Sequence, residues 1–253
     1  MDHCTYIDAD LFFYSDPAVL LAEMGTKDIL LTEHRYSPGY DQSVESGRFC
    51  VQFVTFRNTS NGMKALRWWR DACLAWCYAR VEDGKFGDQK YLDDWEKRFE
   101  GVHVLQHPGG GLAPWNVQQF DAFRKDEAVF VREKKSGKEF AAVFFHFHGV
   151  KFFENEILQL APGMYEIADD ARQRFYFPYV TALLREAAEV KKNGASFDPN
   201  GASGRAARMP WGFGIFLFYY LADLKSSLEN IGGKGLAKRK RHHHFYYTAS
   251  FTG

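Results

Sequence analysis

The sequence is poor in three features, each of which would point to a particular class of protein: cysteine, net charge and long apolar runs. It has 4 cysteines among 253 residues, which are too few and too scattered for a disulfide scaffold. Lys and Arg together number 32, as do Asp and Glu, so nucleic acid is not expected as a partner. The longest apolar run, WGFGIFLFYYLA from Trp211, is too short to span a bilayer.

The small number of cysteines and the shortness of the apolar runs also bear on the location of the protein in the cell. Cys73 and Cys77 lie four residues apart in a predicted helix without a second Cys/His pair, so we interpret them as buried thiols. No apolar segment follows a basic start, so no signal peptide is expected and the cytoplasm is the default location. The aromatic stretch from Trp211 and the basic tail would allow loose, peripheral association with the inner face of a membrane. A packed helix and a solvated tail explain both features more simply.

Aromatic residues are abundant, at 17% of the chain, and strand-like runs alternate with helical ones, which predicts an α/β protein. We expect an α/β domain over residues 1–160, a helical extension over 161–235 and a basic, mobile tail over 236–253. The predicted strands cover residues 5–13, 28–34, 48–58, 101–106, 128–132 and 140–148. The predicted helices cover residues 18–23, 63–80, 87–99, 154–160 and 175–191.

Two carboxylates, Asp8 and Asp10, stand one residue apart in the first predicted strand, TYIDADLFF. Residues i and i+2 of a strand face the same side, so both carboxylates can reach one Mg²⁺ or Mn²⁺ ion. Such an ion would bridge the phosphates of a nucleotide diphosphate. The simpler alternative is a solvated strand end, but the apolar and aromatic neighbours favour charges that are held in place.

Two further motifs have ordinary structural explanations when each is taken alone. Asp88-Gln89 follows a glycine and opens a predicted helix, where Asp is a good N-cap residue. In the loop GGGLAPWN, Trp115 offers a flat face for a sugar ring and Asn116 could bind sugar hydroxyls, although a plain glycine turn is the simpler interpretation. The loop that begins at His34 is a further candidate for sugar and acceptor contacts.

The segment HFHGVK places two histidines, His146 and His148, on a predicted strand. Their imidazoles would face the same side and could both bind a metal ion. Gly149 would let the backbone approach a phosphate closely, and Lys151 could neutralise its charge. The alternative is a pair of core histidines that are satisfied by backbone groups.

In chain order, D-x-D, D-Q and H-F-x-G with a following Lys resemble motifs of nucleotide-sugar transferases of the GT-A fold, in particular the glycogenin and bacterial galactosyltransferase type. The resemblance implies that Asp8, Asp10 and His146 bind Mn²⁺ or Mg²⁺ against the donor diphosphate. It also implies that Asp88 and Gln89 line the donor-sugar pocket as the catalytic pair. The stretches YIDADLFFYSDP, HRYSP and RWWRDACLAWCYARVEDGKFGDQKYLDDW look like a group of bacterial glycosyltransferases, and this similarity extends from Thr5 to about residue 160.

The chain departs from this family pattern in two places. The Pro-Trp pair that usually follows Lys151, the expected diphosphate contact, is replaced by Phe152-Phe153, and His148 competes with His146 as the metal ligand. The family also places the D-x-D strand after a first α/β segment that binds the base and ribose, whereas only four residues precede Thr5 here. We therefore expect a GT-A-like mixed sheet with flanking helices that lacks most of the nucleotide-binding half.

The resemblance implies transfer of a sugar from a nucleotide-diphosphate sugar to a hydroxyl of a glycan or lipid-linked acceptor, and the D-Q pair implies retention of anomeric configuration. One alternative is an inactive, truncated remnant, or a module that binds a sugar without turnover. Another is a metal-dependent hydrolase that uses Asp8, Asp10, His146 and His148.

Overall fold

The computed structural model describes residues 2–226 and 234–252 and shows a mixed α/β protein. Its contacts divide the chain into a first unit, Met1–His146, and a second unit, Phe147–Gly253. The strands are β1 (His3–Ile7), β2 (Leu11–Phe13), β3 (Ile29–Glu33), β4 (Phe49–Arg57), β5 (Val102–Val104), β6 (Gly110–Leu112), β7 (Phe120–Lys125), β8 (Ala128–Glu133), β9 (Glu139–Ala141), β10 (Phe144–His146), β11 (Lys151–Phe152), β12 (Ile157–Gln159) and β13 (Phe245–Tyr247). The α-helices are α1 (Ala18–Met24), α2 (Ser43–Ser46), α3 (Ser60–Ala75), α4 (Trp95–Arg98), α5 (Asp169–Ala171), α6 (Phe177–Lys192), α7 (Phe213–Ser226) and α8 (Lys234–Arg241).

A four-stranded sheet in the order β1-β4-β3-β5 forms the centre of the first unit. Strand β4 is antiparallel to both neighbours, and β3 and β5 are parallel. The aromatic-rich core of this region contains Phe49, Phe56, Trp69 and Trp95. Strand β4 confirms the strand predicted over residues 48–58 and is buried along nearly its whole length, because core residues pack against it.

Helix α3 confirms the most regular helical pattern in the sequence, although it ends five residues earlier than predicted. Its first turn is capped by Thr59, whose Oγ1 accepts a hydrogen bond from the backbone N–H of Gly62 at 3.1 Å. The helix stops because Trp76 adopts an extended conformation. Cys77 therefore lies beyond the helix and is exposed, which corrects the expectation that both thiols are buried.

A second sheet in the first unit has the order β2-β10-β6. Strand β10 pairs antiparallel with β2 and parallel with β6. The single strand predicted for residues 5–13 is therefore wrong: β1 and β2 belong to different sheets, and residues 8–10, here called the acidic turn, connect them. Strands β7, β8 and β9 form a separate antiparallel sheet.

The strand predicted for residues 140–148 is two shorter strands, β9 and β10, which pair with different partners. Strand β10 ends at His146, and His148 lies in a turn that the backbone N–H of Val150 closes by donating to Phe147 O at 3.1 Å. The expectation that both imidazoles face one side of a single strand is therefore wrong.

The second unit contains helix α6 and a small antiparallel sheet in the order β11-β12-β13. The helix predicted over residues 154–160 is wrong, because Ile157–Gln159 is the central strand of this sheet. The basic tail predicted over residues 236–253 contains most of α8 and all of β13. Within the described ranges, no helix has the length and apolar character needed to cross a bilayer.

Candidate functional site

The acidic turn connects the four-stranded sheet to the β2-β10-β6 sheet and brings its two carboxylates to the place where these two sheets adjoin. Ile7 pairs with Phe53 in the first sheet, and the next residue, Asp8, donates its backbone N–H to Gln52 O at 3.2 Å. In the second sheet, Leu11 pairs with His146. Strand pairing on both sides of the turn therefore places Asp8 and Asp10 beside the imidazole of His146.

The side chains of these three residues converge on one small volume. His146 Nε2 lies 3.1 Å from Asp10 Oδ1 and 3.8 Å from Asp8 Oδ2. The His146 side chain is only 7% exposed, whereas that of Asp10 is 40% exposed. The group is therefore anchored in the interior at the histidine and open to solvent at Asp10.

The other ring nitrogen of His146 is held by a buried amide. Gln52 Oε1 lies 2.9 Å from His146 Nδ1, and because an amide oxygen only accepts hydrogen bonds, this contact favours the tautomer with the proton on Nδ1. In the neutral ring this tautomer places the lone pair on Nε2, which faces the two carboxylates. The Trp115 ring packs edge-on against the imidazole, with 5.1 Å between centroids and an interplanar angle of 82°.

Cys50 and Gln52 are members of the site that the sequence analysis missed. They lie two residues apart on β4 and therefore face the same side of the strand. Ligand atoms of Asp8, Cys50 and His146 all lie within 4.8 Å of one another, so these three residues form a group that could hold a metal ion. The signal in the sequence was the C-x-Q spacing within an otherwise apolar run.

Asp88 interacts electrostatically with the cluster of Asp8, Asp10 and His146, here called the centre. Burial, together with the negative charge of Asp8, raises the pKa of the Asp88 carboxyl. Burial likewise raises the pKa of the Cys50 thiol, and the carboxylates of Asp8, Asp88 and Asp10 add to this shift. Tyr6 donates its hydroxyl to Asp8 Oδ1 at 3.0 Å, and its pKa is raised by burial and by Asp8. The centre thus concentrates negative potential, which favours a cation.

The D-Q pair occupies a different local structure from the one expected. Residues 87–99 do not form one helix: a 3-10 helix, Lys90–Asp94, follows Gln89 and precedes α4. The Asp88 backbone carbonyl accepts a hydrogen bond from Trp69 Nε1 at 2.9 Å, and Gln89 Nε2 donates to Ser46 O at 2.8 Å. Gln89 therefore fixes the end of α2, within the loop that begins at His34 and is a candidate for sugar and acceptor contacts.

Trp115, Asn116 and His34 form a buried framework beside His146. Trp115 Nε1 and Asn116 Nδ2 both donate to the carbonyl oxygen of His34, at 2.9 Å and 2.8 Å. The imidazole of His34 stacks on Tyr36, with ring centroids 4.6 Å apart. The three predicted contact residues thus lie together, and their contact with a sugar stays a prediction.

The remaining predicted site residues belong to the second unit. His148 and Gly149 lie in an exposed turn. Gly149 has a φ of +80°, and a Cβ there would meet Pro162 Cδ at 2.6 Å, so backbone conformation and packing both require glycine. Lys151 begins β11, with its Nζ 5.2 Å from the ring centroid of Phe153. Their roles in metal or phosphate binding stay predictions.

Two uncharacterized proteins of Bacillus subtilis (strain 168) are similar to the chain. YfnD is 32% identical over 194 residues, which cover 75% of this chain and 60% of YfnD. YfnF is 30% identical over 168 residues, which cover 63% of this chain and 54% of YfnF. The chain thus spans less than two thirds of the length of each relative. No protein-family model matches the chain.

Burial of His34 should make the stability of the first unit depend on pH. His34 is 3% exposed, and burial lowers its pKa from 6.5 to about 4. Between these values the unfolded chain binds a proton that the folded state excludes. The stabilising contribution is present above pH 6.5 and is lost as pH falls to about 4, with a size of about 3 kcal/mol.

Urea unfolding followed by tryptophan fluorescence measures this effect, because five of the six tryptophans lie in the first unit. The variant His34→Asn keeps an N–H donor for Arg48 O, which His34 Nδ1 contacts at 3.2 Å, but cannot titrate. We expect the free energy of unfolding of this variant to depend less on pH. The control His3→Asn, at an exposed site, should keep the full pH dependence of the unchanged protein. An equal dependence of the free energy of unfolding on pH in the unchanged protein and both variants would contradict the prediction.

Proposed function

We propose that the chain is part of a metal-dependent glycosyltransferase that transfers a sugar from a nucleotide-diphosphate sugar to an acceptor hydroxyl. The observation that carries the proposal is the convergence of separate motifs on one centre. The acidic turn, Asp88 and His146 are far apart in the sequence, yet they interact through short contacts or through charge. The mixed α/β architecture is compatible with a GT-A-like fold, which we include in the proposal.

The donor set fits a divalent metal ion. Asp8, Asp10 and His146 would hold the ion, and their two carboxylates and one imidazole suit Mn²⁺ better than Mg²⁺, which prefers oxygen ligands alone. Gln52 supports this fit, because it orients the imidazole through Nδ1 and leaves Nε2 directed toward the carboxylates. When bound, the ion would stabilise negative charge on the departing nucleotide diphosphate.

The protein side chains would position the donor sugar and stabilise the charge that develops on it. The Asp88 carboxyl, whose pKa is raised by burial and by Asp8, would accept hydrogen bonds from sugar hydroxyls and stabilise positive charge at the anomeric carbon. Tyr6 holds Asp8 in one orientation through its hydroxyl. Gln89 fixes the end of α2 through Ser46. This arrangement would supply catalysis mainly by positioning and electrostatics.

The relatives bear on the extent of the proposed enzyme. The chain spans 60% of YfnD and 54% of YfnF, so each relative has segments outside the matched region. We propose that the base and ribose of the donor bind mainly to such a segment, and that the acceptor is a glycan or a lipid-linked oligosaccharide. Four free cysteines favour the reducing cytoplasm as the place of action.

A donor screen with this chain tests the proposal. Calorimetric titration with a panel of nucleotide-diphosphate sugars should give binding in Mn²⁺ that disappears when the metal is chelated. Product analysis with and without acceptors then separates the alternatives. Donor hydrolysis that is indifferent to every acceptor would favour a metal-dependent hydrolase, and binding without turnover would favour a sugar-binding module. Donor binding that is insensitive to chelation would contradict the metal-dependent mechanism.

A further inference from the structure

The thiol of Cys50 lies beside the centre but takes no part in the sugar transfer proposed above. Cys50 is 2% exposed, and its Sγ lies 4.0 Å from His146 Nδ1. It therefore approaches the imidazole from the interior of the first unit. The carboxylates approach the other ring nitrogen, Nε2, and the Asp10 side chain is 40% exposed. The imidazole thus lies between a buried sulfur atom and oxygen atoms nearer the surface.

The sulfur atom completes a second set of ligands that overlaps the first. One ligand atom from each of Asp8, Cys50 and His146 lies within 4.8 Å of the other two. Asp8 Oδ2 and His146 Nε2 are 3.8 Å apart. Around a tetrahedral Zn²⁺ ion, with bonds of about 2.0–2.3 Å, ligand atoms stand about 3.3–3.7 Å apart. Side-chain shifts of about 1 Å would therefore bring the three residues around one ion.

The chemistry of this second set differs from that of the Mn²⁺ ligands. Zinc is bound in proteins by thiolate, imidazole and carboxylate groups, and a site with three protein ligands leaves one position for water. Thiolate selects soft or borderline metals, whereas carboxylate and water suit Mn²⁺. A given set of nitrogen, oxygen and sulfur ligands also generally binds Zn²⁺ more tightly than Mn²⁺. The second set therefore fits zinc.

We infer that Asp8, Cys50 and His146 form a zinc site that overlaps the Mn²⁺ site and excludes Mn²⁺ when it is filled. As the bond between Zn²⁺ and Cys50 Sγ forms, the thiol releases its proton to the solvent. Asp8 and His146 belong to both sets of ligands, so the two ions compete for them. Zinc thereby inhibits the Mn²⁺-dependent binding of the donor. This inhibition rests on the proposed function, whereas zinc binding itself does not.

Cobalt absorption spectroscopy of the full chain tests the sulfur ligand. Co²⁺ replaces Zn²⁺ in such sites, and a thiolate bound to Co²⁺ gives a charge-transfer band in the near ultraviolet. We expect Co²⁺ to produce this band and an equal amount of Zn²⁺ to remove it. Cys50→Ser should lack the band and bind Zn²⁺ more than about 100-fold more weakly, because a direct ligand is lost. The matched control Cys4→Ser/Cys77→Ser changes two exposed cysteines and should keep the band.

A second variant guards against a change in folding. Cys50→Ala removes the sulfur atom without placing a hydroxyl group in the interior, and it should also lack the band. Both variants should bind Mn²⁺ like the unchanged protein, which shows that they are folded. A band that persists in these variants, or Co²⁺ binding without a band in the unchanged protein, would overturn the inference.

Electron paramagnetic resonance of free Mn²⁺ separates this inference from the proposed function. The unchanged protein should release its bound Mn²⁺ when Zn²⁺ is added. Simultaneous binding of both ions would overturn the inference. Mn²⁺ binding together with Co²⁺ binding that lacks the sulfur band would also overturn it and would leave the proposed function standing. A sulfur band in a chain that binds no Mn²⁺ would support the zinc site and contradict the proposed Mn²⁺-dependent mechanism.

Discussion

The variant Asp10→Asn is expected to abolish Mn²⁺-dependent donor binding while leaving the fold intact. Asp10 Oδ1 lies 3.1 Å from His146 Nε2, at the solvent-exposed side of the centre. An amide oxygen carries no negative charge, so the metal ion would lose one of its two carboxylate ligands. Since loss of a supporting residue alone costs about 10–100-fold in metal affinity, loss of a direct ligand should cost more than about 100-fold.

Calorimetry with Mn²⁺, and then with Mn²⁺ and donor, measures the effect. The free energy of unfolding without metal should change by less than about 1 kcal/mol, because the side chain is 40% exposed and exposed pairs contribute little. A suitable control is Asp83→Asn, since Asp83 is exposed and has a φ of 50°, which Asn tolerates. Undiminished Mn²⁺ affinity in Asp10→Asn would refute the metal assignment.

The variant Gln52→Met is expected to weaken metal binding while changing the stability of the metal-free protein little. Gln52 is fully buried; its Oε1 accepts from His146 Nδ1, and its Nε2 has no hydrogen-bond partner among the residues that the structure describes. Methionine fills similar space and removes the buried amide, but it also removes the acceptor of His146 Nδ1. These two effects oppose each other, so the free energy of unfolding should change by less than about 2 kcal/mol. The imidazole would lose the contact that fixes its proton on Nδ1, and Mn²⁺ affinity should fall about 10–100-fold.

Thermal unfolding with and without Mn²⁺ measures both the stability of the metal-free protein and its metal binding. A ligand that binds only the folded state raises the midpoint temperature of unfolding. The predicted signature is a normal midpoint without metal and a reduced shift with it. Gln106→Met, at an exposed amide that donates to Val104 O, should retain the full shift. If Gln52→Met also retains the full shift, Gln52 does not support the metal site through His146.

The sequence predicted the parts of the site that depend on local pattern. Asp8, Asp10 and His146 were singled out from motif spacing, and the structure brings them together. Cys50 and Gln52 escaped prediction because β4 is buried almost throughout, so a polar residue there has no distinctive local pattern. Their importance depends on which strands adjoin, and that information is not local.

The errors in the predicted secondary structure have the same physical origin, which is pairing between distant parts of the chain. Ile157–Gln159 was predicted to be helical because its short apolar run fits either period. It is a strand because it pairs with Phe245–Tyr247, near the other end of the chain. The first predicted strand was divided for a similar reason, since its two halves pair with β4 and β10. Such tertiary pairing overrides local secondary-structure propensity.

The acidic turn has a consequence for the order in which the molecule assembles. On one side of it, Thr5 contacts Thr55 across a separation of 50 residues; on the other, Ser15 contacts Ala142 across 127. Closing the longer loop costs about 0.8 kcal/mol more in chain entropy, and non-local pairing slows folding. Asp8 should therefore reach Cys50 and Gln52 before His146 arrives beside Asp10. The centre is complete only after the longest-range pairing of its two sheets has formed, so metal binding would report late folding events.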